Sequence, residues 1–189
     1  MNDVVQDWIN GLAGRTHLLD VAMRISANDI VLCLPLFIIT LWFWPDADRA
    51  LRQRVAVATC FAVVASLVAS TLVGSIWHEA RPFVSDHDTR QLIGHSADNS
   101  FPSEHAAVAF AVAGVAIWWQ RAIGAVCLGL ALLVGFARIY VGVHWPLDIL
   151  TSALISLAIG SILAASLPLI VGPQRLLSRH LPSALVAEP

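Results

Sequence analysis

Long apolar runs dominate this chain and restrict the folds it can adopt. Residues 55–77, 103–119, 122–140 and 146–171 are almost free of charged side chains. A helix of about twenty apolar residues crosses the hydrocarbon core of a bilayer. The mean hydropathy is +0.75, and only 13% of residues are charged, against about 25% in an average protein. We therefore predict an all-α, polytopic membrane helix bundle.

The apolar runs predict about five transmembrane helices in one domain. The predicted spans are 30–44, 55–77, 103–121, 122–140 and 146–171. Asn28 or Asp29 is predicted to cap the first span, and Pro168 to kink the last. We predict a single membrane-embedded domain over residues 1–172 and a mobile tail over 173–189.

The N-terminal 26 residues mix apolar and polar side chains with roughly helical spacing. This pattern predicts an amphipathic segment of one or two helices lying along the membrane interface. A soluble cap packed on the bundle is the alternative. Asp3 and Asp7 occupy the place of a basic region, so we do not expect a cleavable signal here.

The distribution of arginines predicts the orientation of the chain. Five spans place the N-terminus, the 78–101 loop and the 141–145 link on one side. The other side holds six arginines: Arg49, Arg52, Arg54, Arg121, Arg175 and Arg179. The first side holds only Arg15, Arg24 and Arg90 once Arg81 and Arg138 are assigned to a pocket. The positive-inside rule then places the first side towards the periplasm or exterior.

Three polar islands interrupt the apolar pattern, and all three fall on that same side. They are residues 81–83, 100–105 and 137–148. In the third island, His144 and Asp148 are four residues apart, which predicts one helical face. A carboxylate at that spacing can accept the imidazole N–H and leave the other nitrogen free as a nucleophile. A purely structural His–Asp pair is the alternative.

The second island predicts an anion site at the start of a helix. Ser100 or Ser103 can cap that helix, and Pro102 is tolerated in its first turn. The free N–H groups of a helix N-terminus attract anions, and His105 would lie beside one. An ordinary capped helix with an interfacial histidine is the alternative.

Arg81 and Arg138 are also candidate phosphate ligands. A guanidinium offers two parallel donors to phosphate oxygens. An arginine at the end of a span can instead extend to the lipid headgroups.

Other features exclude several classes of function. A net charge of −2 leaves no basic surface for nucleic acid. The three cysteines, Cys33, Cys60 and Cys127, lie in apolar runs and are predicted to act as small hydrophobes. No tight carboxylate cluster offers a magnesium site, so we predict neither metal nor cofactor.

Four further polar residues are assigned to the loop surface: His78, Glu79, His87 and His95. A metal site formed by His87 and His95 is the alternative, although their spacing does not favour it.

Together the three islands resemble a known signature. Arg81-Pro82-Phe83, residues 98–105 and residues 140–148 are similar to the motifs of the type 2 phosphatidic acid phosphatase superfamily. The fuller stretches resemble its bacterial undecaprenyl-diphosphate phosphatase branch. The resemblance covers about residues 74–150, with the motifs between 78 and 148.

The resemblance implies a role for each matched residue. His144 would attack phosphorus, Asp148 would orient it, and His105 would protonate the leaving oxygen. The phosphate would be held by Arg81, Ser103 and Arg138. Glu104 and His78 are candidate substrate-binding residues.

The chain also departs from the family pattern. Gly74 stands where the family usually has lysine, Ala137 replaces a serine, and Glu104 replaces a glycine. Glu104 resembles the diphosphate-cleaving branch, while Gly74 removes one expected phosphate donor. His78 is the candidate replacement for that donor.

The resemblance therefore predicts a lipid phosphatase of the bacterial inner membrane. It would hydrolyse undecaprenyl diphosphate to undecaprenyl phosphate and inorganic phosphate, and so recycle a lipid carrier for cell-wall synthesis. The implied partners are the lipid phosphate substrate and membrane lipids, and oligomeric state is left open. The alternatives are the same chemistry on phosphatidic acid or phosphatidylglycerol phosphate, a non-catalytic anionic-lipid binding or transport protein, and a metal hydrolase.

Overall fold

The computed structural model describes residues 2–43 and 48–169, and all regular elements within them are helical. The helices are α1 (Asn2–Asn10), α2 (His17–Asn28), α3 (Cys33–Phe43), α4 (Arg49–Ile76), α5 (Pro82–Ser85), α6 (Glu104–Trp119), α7 (Arg121–Tyr140) and α8 (Pro146–Ala165), with 3-10 turns at Ile30–Leu32 and Leu167–Leu169. Residues 44–47 and the predicted tail at 173–189 lie outside the described residues.

Each predicted span corresponds to a helix, which confirms the all-α membrane fold. Among the described residues, helices α4, α7 and α8 are long and apolar enough to cross a bilayer, and α6 is a shorter apolar helix. Helix α3 has 11 residues. The predicted start of the second span, at residue 55, was wrong. Helix α4 begins at Arg49, so Arg52 and Arg54 lie in its first two turns.

The prediction of a kink at Pro168 was also wrong. Helix α8 ends at Ala165, and Pro168 lies in the 3-10 turn that follows. Proline lacks the N–H that would continue the helix, so the chain leaves the helical path before this residue.

Helix α6 lies at the centre of the bundle and packs against α4, α7 and α8. Its contact with α8 is close, because a Cβ placed on Gly160 would lie 2.6 Å from the carbonyl oxygen of Ala111. Small residues allow membrane helices to approach in this way. This central packing fixes the start of α6, where His105 lies.

The N-terminal helices form a cap that packs on the end of α7. The Asn10 side chain donates to the carbonyl oxygens of Tyr140, at 2.8 Å, and Arg90, at 2.9 Å. The Tyr140 hydroxyl donates to Asp20 at 2.8 Å. The outer surface of the cap carries exposed apolar side chains, including Trp8 and Leu18. An interfacial position for the cap would bring them into contact with lipid, and this position stays a prediction.

The loop after α4 folds back over the ends of the helices. The N–H of Leu92 donates to Val141 O at 3.0 Å, and the N–H of Ser100 donates to Glu79 O at 2.9 Å. The Trp145 indole N–H donates to Ala80 O at 2.8 Å. The loop therefore covers this end of the helix bundle.

Gly142, in the 141–145 link, lies close to this loop, and its replacement should destabilise the protein. Its φ of +81° lies in the left-handed region, and an added Cβ would lie 2.6 Å from Arg90 O. We expect Gly142→Ala to lower the free energy of unfolding by about 1–3 kcal/mol. Thermal unfolding in detergent measures this. Gly129→Ala is the control, because nothing lies within 4 Å of its added Cβ, and a parental melting temperature for Gly142→Ala would contradict the expectation.

Candidate active site

A cavity of about 420 Å³ opens where α4 ends and α6 begins. Six of the predicted site residues line it: His78, Arg81, Glu104, His105, Arg138 and His144. The loop, the ends of three helices and the 141–145 link all contribute walls. The polar islands, far apart in sequence, therefore meet at one cavity.

His144 lies at the base of this cavity, between the two arginines. Its Nε2 is 3.2 Å from Nη2 of Arg138 and 3.4 Å from Nη1 of Arg81. Guanidinium nitrogens only donate hydrogen bonds, so Nε2 must act as the acceptor and carries no proton. The lone pair of Nε2 therefore points between the guanidinium groups of Arg81 and Arg138.

The opposite side of the imidazole faces Asp148. His144 Nδ1 lies 3.2 Å from Asp148 Oδ2, which therefore accepts the Nδ1–H and fixes the tautomer. Burial, followed by the charges of Arg138 and Arg81, holds the pKa of His144 well below its usual range. The ring is thus neutral at neutral pH, with Nε2 available.

The predicted reason for this contact was wrong, because His144 does not lie on a helix. Helix α8 begins at Pro146, and Trp145 is its N-cap. Asp148 accepts the backbone N–H of Trp145 at 2.9 Å, which is one half of a capping box. The cap geometry, not an i,i+4 helical face, brings the carboxylate to the imidazole.

Arg81 is held rigidly at the cavity wall. Its Nε donates to Asp98 Oδ1 at 2.8 Å, its Nη1 to Val143 O at 2.9 Å and its Nη2 to Asn99 O at 3.2 Å. The side chain is buried. It therefore does not extend to headgroups, and its plane is fixed before a ligand binds.

Arg138 is more deeply buried and less well satisfied. Only 1% of the residue is exposed. Its Nη1 lies 3.4 Å from both Ala27 O and Asn28 Oδ1, and its Nε has no hydrogen-bond partner within the described part of the chain. A buried cation needs a compensating anion, and a phosphate beside His144 would supply one.

Asn28 therefore does something other than the predicted capping. The N-cap of the 3-10 turn after α2 is Asp29, which makes no side-chain cap hydrogen bond. The carboxamide oxygen of Asn28 faces Arg138 instead.

Comparison with known proteins now identifies this arrangement. The sequence model of the PAP2 superfamily matches residues 32–170. The chain belongs to the PAP2 superfamily. The resemblance carried by the three motifs is thus confirmed.

Two curated relatives and one solved structure agree with the PAP2 assignment. Undecaprenyl-diphosphatase BcrC of Bacillus subtilis is 33% identical, over 85% of this chain and 81% of its own. Putative undecaprenyl-diphosphatase YbjG of Escherichia coli is 36% identical, over 66% of this chain and 61% of its own. The crystal structure of Aquifex aeolicus LpxE matches with a TM-score of 0.70 and 27% identity, over 84% of this chain and 92% of its own. This PAP2 protein is therefore a multi-pass membrane lipid phosphatase.

Ser103 is not among the residues that line the cavity of this PAP2 protein, so its role as a phosphate ligand stays a prediction. It is the N-cap of α6 but makes no side-chain cap hydrogen bond. The residue is completely buried, does not line the cavity, and its hydroxyl has no partner within the described ranges. Ser100, the other predicted cap, instead donates its hydroxyl to Asp148.

His95 is the residue that sequence reasoning missed at this PAP2 site. It was assigned to the loop surface, yet it lines the cavity beside His144. Nothing in the sequence around His95 distinguishes it from His87, which is exposed. No group of three or more histidine, cysteine, aspartate or glutamate side chains that could hold a metal ion occurs within residues 2–43 and 48–169.

Proposed function

We propose that this lipid phosphatase hydrolyses undecaprenyl diphosphate through a phosphohistidine at His144. The observation that carries the proposal is the position of His144 Nε2, unprotonated and within 3.4 Å of both guanidinium groups. The names of the BcrC and YbjG relatives support the diphosphate as substrate. The product would be undecaprenyl phosphate, the carrier used in cell-wall synthesis.

In the first step, the terminal phosphate binds between Arg81 and Arg138. The lone pair of His144 Nε2 attacks the terminal phosphorus and forms the P–N bond. The P–O bond to the lipid phosphate breaks, and its electron pair leaves with that oxygen, which His105 protonates. The two guanidinium groups stabilise the charge on the equatorial oxygens, and Asp148 stabilises the positive imidazole through Nδ1–H.

In the second step, a water molecule replaces the lipid phosphate. Deprotonated His105 takes a proton from this water as its oxygen attacks phosphorus. The P–N bond breaks, its electrons return to Nε2, and inorganic phosphate leaves. The chain's own residues therefore supply the nucleophile, the acid–base group and the cationic donors of both steps.

A second cavity offers a place for the apolar part of the substrate. It measures about 300 Å³, lies between α3, α6 and α7, and is almost entirely apolar. Val108 and Ala109 line it, and they follow His105 by three and four residues on α6, hence on the same face. We infer that the first isoprene units bind here while the rest of the chain remains in the bilayer.

Filling this apolar cavity should weaken binding of long-chain substrates only. We expect Ala109→Phe to raise KM for undecaprenyl diphosphate about tenfold, since each methylene of the substrate that the ring keeps from being buried loses about 0.8 kcal/mol. KM for a short-chain diphosphate should change little. Phosphate release in detergent measures both values. Ala125→Phe on the exposed side of α7 is the control, and equal effects of Ala109→Phe on both substrates would contradict the assignment.

We further propose that the cavity faces the periplasm or exterior of the bacterial inner membrane. Arginines 49, 52, 54 and 121 lie at the opposite end of the bundle from the cavity, as the positive-inside rule requires. Intact spheroplasts should therefore hydrolyse an added, membrane-impermeant substrate. Hydrolysis only after lysis would place the site on the cytoplasmic side.

The substrate assignment is tested by phosphate release from purified protein treated with chelator. Undecaprenyl diphosphate should be cleaved faster than phosphatidic acid and phosphatidylglycerol phosphate. A preference for either phospholipid would replace the proposed substrate, lipid binding without turnover would support a non-catalytic role, and loss of activity in chelator would support a metal hydrolase.

A further inference from the structure

His95 lies on the wall of the phosphate cavity, although none of the steps proposed above uses it. Its ring centroid is 6.3 Å from that of His144, and the two ring planes are inclined at 76°. Its side chain is 23% exposed. It lines the cavity together with Arg81 and Arg138, so a ligand held by these arginines lies beside it.

The loop is anchored on both sides of His95. Before it, Leu92 N–H donates to Val141 O at 3.0 Å. After it, Asp98 accepts from Arg81 Nε at 2.8 Å and lies 3.9 Å from His95 Nδ1. That nitrogen is also 3.2 Å from Ser96 O, which can only accept, so Nδ1 carries a proton. Nε2 is therefore the ring nitrogen left for a ligand.

Helix α4 cannot supply a third phosphate donor from position 74. A Cβ on Gly74 would lie 2.8 Å from Phe101 O. The Asn99 carboxamide donates to Gly74 O at 2.9 Å and holds the loop against the helix. A side chain at this position would displace the 99–101 turn, so position 74 does not supply such a donor.

We propose that His95 is a third phosphate-binding residue, whose Nε2 takes up a proton when a dianionic phosphate binds and then donates to one of its oxygens. The inference rests on the proposed function, since it requires a phosphoryl group between Arg81 and Arg138. In-line attack by His144 directs the three equatorial oxygens towards the cavity walls. His95 stands beside the His144 ring and lines the same cavity, where it can reach such an oxygen.

The charges around His95 explain why its protonation depends on the ligand. Partial burial and the neighbouring Arg81 lower the pKa of His95, so the ring is mainly neutral near neutral pH. A bound dianion favours the protonated ring. The nearby carboxylate of Asp98 favours it as well. The groups facing it are Arg81, Arg138, Asp98, His105 and His144. Proton uptake on binding means that affinity for a dianion rises as pH falls.

Tungstate binding tests the inference without any lipid substrate, because tungstate that is kept dilute enough not to polymerise stays a monomeric dianion at both pH values used. Titration calorimetry with the full chain is performed at about pH 6 and about pH 7.5, on either side of the ordinary imidazole pKa of about 6.5. We expect His95→Gln to weaken binding about tenfold at the lower pH, as loss of one charge-assisted hydrogen bond would. The effect at the higher pH should be smaller.

Two further variants complete the experiment. His95→Asn should behave like His95→Gln, because neither amide takes up a proton. His87→Gln is the control, since His87 is an exposed histidine of the same loop that does not line the cavity, and it should bind tungstate like the parent protein.

The outcomes separate this inference from the proposed function. Parental affinity in both His95 variants, or equal weakening at both pH values, would overturn the role of His95 and leave the phosphate pocket intact. Failure of the parent protein to bind tungstate would contradict the pocket, and the role of His95 with it.

Discussion

Replacing His144 with alanine should reduce phosphate release from lipid diphosphate by at least about a thousandfold, because removal of a catalytic nucleophile typically costs that much or more. The loss should appear in kcat, since Nε2 forms a bond to phosphorus only during the reaction. A phosphate-release assay in detergent, at saturating substrate, measures it.

The alanine variant also removes the acceptor between two guanidinium groups, so folding needs its own check. His144→Gln is the matched variant, because its amide oxygen can still accept from Arg81 or Arg138 but cannot act as a nucleophile. It should melt near the parental temperature and be as inactive as the alanine variant. More than a tenth of parental kcat in either variant would refute the assignment of the nucleophile.

Arg138→Lys should lower kcat/KM by about a hundredfold to a thousandfold, the usual effect of losing a donor that stabilises transition-state charge. The positive charge is retained, but the guanidinium presently reaches from Asn28 to His144, at 3.4 and 3.2 Å. A single ammonium group cannot span both contacts or bind two phosphate oxygens at once.

The control for Arg138 lies at the other end of the same helix. Arg121 is exposed, so Arg121→Lys should retain parental kcat/KM in the same assay. An Arg138→Lys variant within about threefold of the parent would show that the paired donors of a guanidinium are not needed, which would contradict the proposed phosphate site.

The meeting of Arg81, Arg138 and His144 could be predicted from the sequence because counting spans fixes the side on which each helix ends. Apolar runs near twenty residues report the crossings directly. The side of each polar island then follows without any knowledge of packing. Distances within the cavity do not follow, and Ser103 illustrates this, since the residue is completely buried and is not among those that line the cavity.

Long-range packing of polar loops is what the sequence could not reveal. His95 and His87 look alike in sequence, but the loop is anchored to the 141–145 link at Leu92, between them, and of the two only His95 lines the cavity. Asn28 likewise reads as a helix cap, and its contact with Arg138 depends on how the N-terminal cap packs on α7. The His144–Asp148 contact was anticipated for a different reason, because the start of α8 is set by Pro146, which favours the first turn of a helix.

The most direct test of the account is to trap the covalent intermediate. Purified protein is mixed with undecaprenyl diphosphate labelled in its terminal phosphate, quenched in alkali within one turnover and mapped by mass spectrometry. We predict an alkali-stable, acid-labile phosphoryl group on His144, absent from His144→Gln. Turnover without any label on His144, or with the label on another residue, would contradict the account.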